Sequence, residues 1–113
     1  MKNKLLILAA GLVVGCHQLA PPKPTAELTP HEAAGQSVFV GRCSACHYAN
    51  SEKALNGPGL EGLFRKPYLA SGAAAKDARV TAVILYGRGM MPPLGNTLTQ
   101  QELDDLMAYL HTL

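Results

Sequence analysis

Apolar and polar positions follow different rhythms in different parts of this chain. Residues 5–14 form an unbroken run of apolar or small side chains behind Lys2 and Lys4. At about 10 residues the run is half of what a membrane-crossing helix needs, and its charged-then-apolar order is that of an export signal. Between Gln18 and Pro30 lie Pro21, Pro22, Pro24 and Pro30 with few large apolar residues. This composition predicts an extended, polyproline-like spacer with a rise of about 3.1 Å per residue.

Helical periodicity begins after the spacer. Thr29, Pro30 and Glu32 supply a hydroxyl cap, a proline at the first helical position and a glutamate three residues past the cap, which predicts a helix from residue 30 to about 42. Thr99 and Glu102 repeat the capping pattern, and Leu103, Leu106, Met107 and Leu110 follow at i, i+3, i+4 and i+7, one apolar stripe of a C-terminal helix. Val80, Val83 and Ile84 share a face over about residues 76–86, where Gly87 stops the run. Asn56-Gly57-Pro58-Gly59 breaks regular structure between these helices, and no period-two strand pattern longer than a few residues appears. The chain reads as all-α with long loops: residues 1–15 a signal, 16–29 a spacer, and 30–113 one small domain.

Charge adds little and removes one class of function. Ten basic residues exceed eight acidic ones, but Lys2 and Lys4 leave with the signal. The mature protein is therefore near neutral, and a nucleic-acid partner loses its electrostatic support.

The apolar leader ends in Val13-Val14-Gly15-Cys16, which resembles the lipobox of bacterial lipoproteins. In that family the cysteine is acylated and becomes the first residue. Cys16 would then hold the protein on the extracytoplasmic side of a membrane through acyl chains worth about 0.8 kcal/mol per buried CH₂. Ordinary secretion with cleavage nearby is the alternative. His17, directly after Cys16, gives no sign of which membrane would receive the lipid.

The remaining cysteines stand in Cys43-Ser44-Ala45-Cys46-His47, the spacing of a c-type haem attachment site. Two thiols three positions apart at a helix end can add to the two vinyl groups of one porphyrin, while His47 lies beneath the iron as proximal ligand. A disulfide redox pair would call for a βαβ surrounding that is absent from the pattern. A zinc site would call for a second ligand pair, which His17, His31 and His111 do not supply at comparable spacing. The export signal agrees with haem c, which bacteria attach outside the cytoplasm. A sixth iron ligand suits an electron carrier, and a thioether raises the potential by favouring the ferrous state. Met90 and Met91 are both candidates; Met91 precedes Pro92-Pro93, which stiffens the loop that presents it. Met107 lies on the apolar stripe and belongs to the core. His31 and His17 are expected in solvent, and His111 near the negative end of the last helix. Tyr48, Tyr68 and Tyr86 would suit core packing or a propionate contact.

Over residues 35–113 the chain resembles a class I cytochrome c. The resemblance rests on Gly35 and Phe39 before the haem motif, Gly57-Pro58-Gly59-Leu60-Glu61-Gly62-Leu63 after it, Met91-Pro92, and a last helix ending Ala108-Tyr109-Leu110. It implies a small cytochrome c fold, three to five helices around one covalent haem c. It further implies Met91 as distal ligand with Met90 the alternative, and a Pro58 carbonyl that bonds the free nitrogen of His47. Gly35 would let the first and last helices cross closely beside Phe39 and Tyr109. Arg65 would lie close to a haem propionate, although Arg65-Lys66-Pro67 departs from the usual Gly-Arg ending. The function implied is single-electron transfer between redox proteins. The alternatives are a haem c subunit of a dehydrogenase or oxidase, and a haem sensor or peroxidase with an open sixth position, against which Met91-Pro92 argues.

Overall fold

The structure is a computed structural model that describes residues 19–113. The signal assigned to residues 1–15, the lipidation site Cys16 and His17 lie outside the described residues. Three α-helices follow a short 3-10 turn at Thr25–Glu27: α1 (Pro30–Arg42), α2 (Asp77–Tyr86) and α3 (Gln100–Leu110). Among the described residues there is no strand, and two isolated antiparallel bridges, Tyr68 with Ala74 and Arg88 with Met91, are the only β-type pairing. No described helix is long and apolar enough to cross a membrane.

The capping pattern read from the sequence sets the helix starts. Thr29 caps α1: its side chain accepts from the Glu32 N–H while the Glu32 carboxylate accepts from the Thr29 N–H at 2.7 Å. Thr99 and Glu102 do the same for α3. Each box satisfies two N–H groups that a helix start otherwise leaves without partners. Gly87, at φ 74°, ends α2 by a backbone that other residues seldom adopt.

The core forms where α1 and α3 cross and α2 closes one side. Phe39, Val80, Ile84, Leu103, Leu106, Tyr109, Leu110 and Leu113 are buried there, and Met107 packs half-buried against them, as its place on the apolar stripe implies. The crossing is close because Gly35 has no side chain: a Cβ at that position would collide with the Asp105 carbonyl and lie 2.8 Å from the Tyr109 Cβ. The Phe39 and Tyr109 rings meet just beyond, with centroids 5.6 Å apart and planes tilted by 56°, a favourable arrangement for two aromatic quadrupoles.

Several residues sit elsewhere than the sequence reading placed them. His31 is exposed, as expected, but its Nδ1 pairs with the Asp105 carboxylate, which is only 8% exposed and also accepts from Gln101 Nε2 at 2.9 Å. The pair ties the start of α1 to the middle of α3. His111 does follow α3, but its ring stacks on Phe64 at 4.0 Å and its Nε2 lies 3.0 Å from Asp77, in the first turn of α2. Tyr48, Tyr68 and Tyr86 are all exposed, so none is a core residue.

Residues 19–28 are the largest departure. Proline does keep Pro24 extended, at φ −58° and ψ 142°, but the stretch lies on the domain and does not project from it. The Lys23 N–H donates to the Thr112 carbonyl at 2.8 Å, the Lys23 ammonium pairs with Glu32 at 2.7 Å, and Leu28 packs on the core. Pre-stiffened backbone loses little further entropy on docking, so a few such contacts suffice to hold it.

Candidate functional site

The site is built at the end of α1. Cys43 is the helix's C-cap, its N–H bonded to the Phe39 carbonyl, and the chain turns at once so that Cys46 and His47 donate their N–H groups to the Cys43 carbonyl at 3.0 Å each. Both thiols therefore leave one tight turn, with His47 directly after them. Cys43 is half-buried and Cys46 exposed. Burial pushes the Cys43 thiol up to about 11, the opposite of the lowered value that makes a thioredoxin-like cysteine reactive. The two other described histidines are engaged by Asp105 and Asp77, and no described group of three His, Cys, Asp or Glu could hold a metal ion. The disulfide and zinc readings of the motif therefore find no support in its surroundings.

The loop after the motif is laced to the turn by its backbone. The Gly57 N–H donates to the Cys46 carbonyl at 2.8 Å, the Leu60 N–H donates to the Tyr48 carbonyl at 2.8 Å, and Asn56 Nδ2 reaches the Ala45 carbonyl at 3.4 Å. This lacing brings the Pro58 carbonyl 2.8 Å from His47 Nδ1. A carbonyl can only accept, so Nδ1 carries the hydrogen and Nε2 presents its lone pair. Such a bond fixes the ring's tautomer and orientation and raises the basicity of the other nitrogen. Gly57 lies against the face of the same ring, where a Cβ would come 2.9 Å from Nδ1 and 3.0 Å from Nε2. Its place in Asn56-Gly57-Pro58-Gly59 marks Gly57 as a turn former; the contact with the ring is a second reason for glycine, visible only once the loop is folded back.

Met91 and Met90 are separated by a tight turn. Arg88 and Met91 exchange backbone hydrogen bonds of 3.0 Å in both directions across Gly89, which has φ 56°. The exchange holds Met91 half-buried against the core and throws Met90 outward, 88% exposed. Leu94 and Gly95 then bond back to the Ile84 and Leu85 carbonyls at 2.9 and 3.1 Å, so the Met91 loop is anchored on α2 at both ends.

Partly buried apolar side chains pack against the core from the segments that carry both loops. Leu60, Leu63, Phe64 and Leu69 come from the His47 side, and Leu85 and Leu94 from the Met91 side. A crevice of about 350 Å³ opens beside Pro58, bordered by Leu63, Lys66, Tyr68 and Leu69. Arg65 lies in this loop; its Nη1 donates to the Pro21 carbonyl at 3.4 Å, while Nε and Nη2 are buried and meet no acceptor among the described residues. A buried guanidinium edge without a partner is costly and calls for an anion.

These features fit haem c. Two thiols on one turn could form its thioethers, an imidazole with a fixed Nε2 lone pair and a half-buried thioether are iron donors, the apolar lining suits a porphyrin, and the unpaired Arg65 edge suits a propionate.

Comparisons with known proteins agree. The family model described as "Cytochrome C oxidase, cbb3-type, subunit III" matches residues 30–110. The chain is 31% identical over 114 residues to a cytochrome c6 of Rippkaea orientalis, covering 96% of this chain and 91% of that one. It is 27% identical over 111 residues to a cytochrome c6 of Picosynechococcus, with 96% and 92% covered. A cytochrome c6 of Diacronema lutheri is 35% identical over 78 residues, 68% of this chain and 89% of its own. A three-helix fold, a family model matching residues 30–110 and two cytochrome c6 relatives each covering 96% of the chain give the conclusion that the chain belongs to the cytochrome c family, as a class I domain with one covalently bound haem c and the role of an electron carrier.

Proposed function

We propose that this protein is a membrane-tethered monohaem cytochrome that passes single electrons between extracytoplasmic redox proteins. In this reading Cys43 and Cys46 would form the thioethers, His47 Nε2 and the Met91 thioether would hold the iron, and Cys16 would carry the lipid. The bound haem supplies one-electron chemistry at its iron. The protein's own groups hold and tune it: Pro58 keeps the His47 ring turned, the apolar loops exclude water, and Arg65 meets a propionate. The carrying observation is the 2.8 Å bond between His47 Nδ1 and the Pro58 carbonyl, which leaves Nε2 as the lone-pair donor. Met91 rather than Met90 completes the pair because it is the one held at the core.

A carrier whose iron would be held by both His47 and Met91 would change only its electron count. A mediated redox titration is therefore expected to follow a one-electron curve in both directions, and the ferrous protein is expected not to bind carbon monoxide at low concentration. Ready binding of carbon monoxide would move the function to sensing or peroxidase chemistry. Electron transfer within a larger oxidase is a second reading, favoured by the description of the matching family model. A stable stoichiometric enzyme partner after solubilising membranes would support it. For the anchor, globomycin should block processing at Cys16, and unchanged processing would rule out the lipoprotein assignment.

A further inference from the structure

Arg65 is held from an unexpected direction. Its guanidinium is a rigid plane, so fixing one nitrogen fixes where the others point. Nη1 is fixed by the Pro21 carbonyl at 3.4 Å, and the two nitrogens left over, Nε and Nη2, are buried and without an acceptor among the described residues. Those two form the side-on edge of the guanidinium, the fork that matches the two oxygens of one carboxylate.

Pro21 is itself held on both sides. Before it, Leu19 packs over Gly62, where a Cβ would lie only 2.8 Å from Leu19 Cδ1. After it, the Lys23 N–H bonds the Thr112 carbonyl at 2.8 Å and the Lys23 ammonium bonds Glu32 at 2.7 Å. The stretch expected to be a spacer is thus pinned to the Arg65 loop, to the end of α3 and to the start of α1, with the Arg65 contact between the pins.

We propose that residues 19–23 are a positioning strap for the haem site. The Pro21 carbonyl aims the Nε and Nη2 edge of Arg65 at a haem propionate, and the strap thereby raises the potential of the iron. A cation held beside the propionate offsets its negative charge, which favours the less positive ferrous state; a loosened Arg65 turns to water and is screened. The inference rests on the covalent haem proposed above.

A double-mutant cycle on the full haem-loaded chain tests it. The strap is loosened by Leu19→Ser, Pro21→Gly and Lys23→Pro, which remove the Gly62 contact, the stiffness at Arg65 and the N–H to Thr112. Arg65→Gln removes the guanidinium, and Arg65→Lys, which keeps charge without the fork, takes its place if Arg65→Gln fails to mature. Loosening the strap is expected to lower the ferrous-to-ferric ratio at fixed redox poise roughly two- to fivefold, the scale of an ion pair at a partly exposed residue given up to solvent screening. The Arg65 substitution is expected to lower it comparably, and loosening in that background to add nothing. An unchanged ratio on loosening, or an equal fall in both Arg65 backgrounds, would overturn the strap's role. Absence of covalent haem from the unaltered chain would instead overturn the reading on which the proposal stands.

Discussion

His47 and Met91 depend on neighbours that contribute no donor atoms. Gly57 leaves room for the imidazole face, and the Arg88–Met91 exchange turns one of two adjacent methionines inward. In Gly57→Ala the new methyl would press on the His47 ring at less than van der Waals distance, so the Pro58 bond and the ring's tilt should be lost together. The expected result is a much lower yield of low-spin haem protein, read from the visible spectrum; an unaltered spectrum would contradict the stacking. Met91→Ala should abolish the weak red band of ferric iron bound to a thioether, and Met90→Ala should leave it in place. Loss only in Met90→Ala would reverse the assignment. Much of this was legible before folding, because Cys43, Cys46 and His47 are adjacent and their chemistry is carried by spacing. The ring contact of Gly57, the engagement of His31 and the stack of His111 on Phe64 were not, since each joins residues distant in sequence whose types are individually unremarkable.

Helix ends and one crossing point carry much of the fold's specificity. Both capping boxes were readable from Thr29, Glu32, Thr99 and Glu102, and the helices start where those residues place them. The two glutamates also set a pH dependence. Glu32 is held below its ordinary 4.5, chiefly by the Lys23 ammonium, and Glu102 is held below it chiefly by the Thr99 N–H. Folding favours their ionised forms, so their stabilisation is complete above about 4.5 and is lost as pH falls through the lowered values. Thermal melts by circular dichroism should show a smaller drop between pH 6 and pH 3 in the Glu32→Gln, Glu102→Gln double variant than in the unaltered protein. An equal drop would mean the boxes contribute nothing to acid lability. The crossing of α1 and α3 is less forgiving. Gly35→Ala drives a methyl into the Asp105 carbonyl, a backbone atom that cannot swing aside, so a loss of roughly 1–3 kcal/mol in denaturant unfolding is expected. Unchanged stability would show that the helices do not cross there.

The whole molecule is a near-neutral domain once Lys2 and Lys4 are removed, with eight basic residues facing eight acidic ones. Docking with redox partners should therefore depend weakly on ionic strength; a steep fall in transfer rate between low and physiological salt would point to a concentrated charged face. The docked strap would also set the geometry of the proposed anchor. With residues 19–23 on the domain, only His17 and Gln18 separate Cys16 from Leu19, and three residue steps span at most about 11 Å. A lipid on Cys16 would keep the domain against the bilayer surface, where composition alone had indicated a leash of a few nanometres. Backbone is extended at Pro24 but turns as a 3-10 helix at Thr25–Glu27, and extension does not say whether a segment docks; docking is decided by the Thr112 and Pro21 carbonyls, which no local pattern marks. The proposed function stands on haem joined covalently through Cys43 and Cys46 and held by His47 and Met91. The direct test is a denaturing gel stained for haem together with the ferric visible spectrum of protein made with a haem c maturation system. Haem that migrates with the denatured chain, with the weak red band of iron–thioether ligation, is the predicted result. A chain that carries no covalent haem under those conditions would contradict the account.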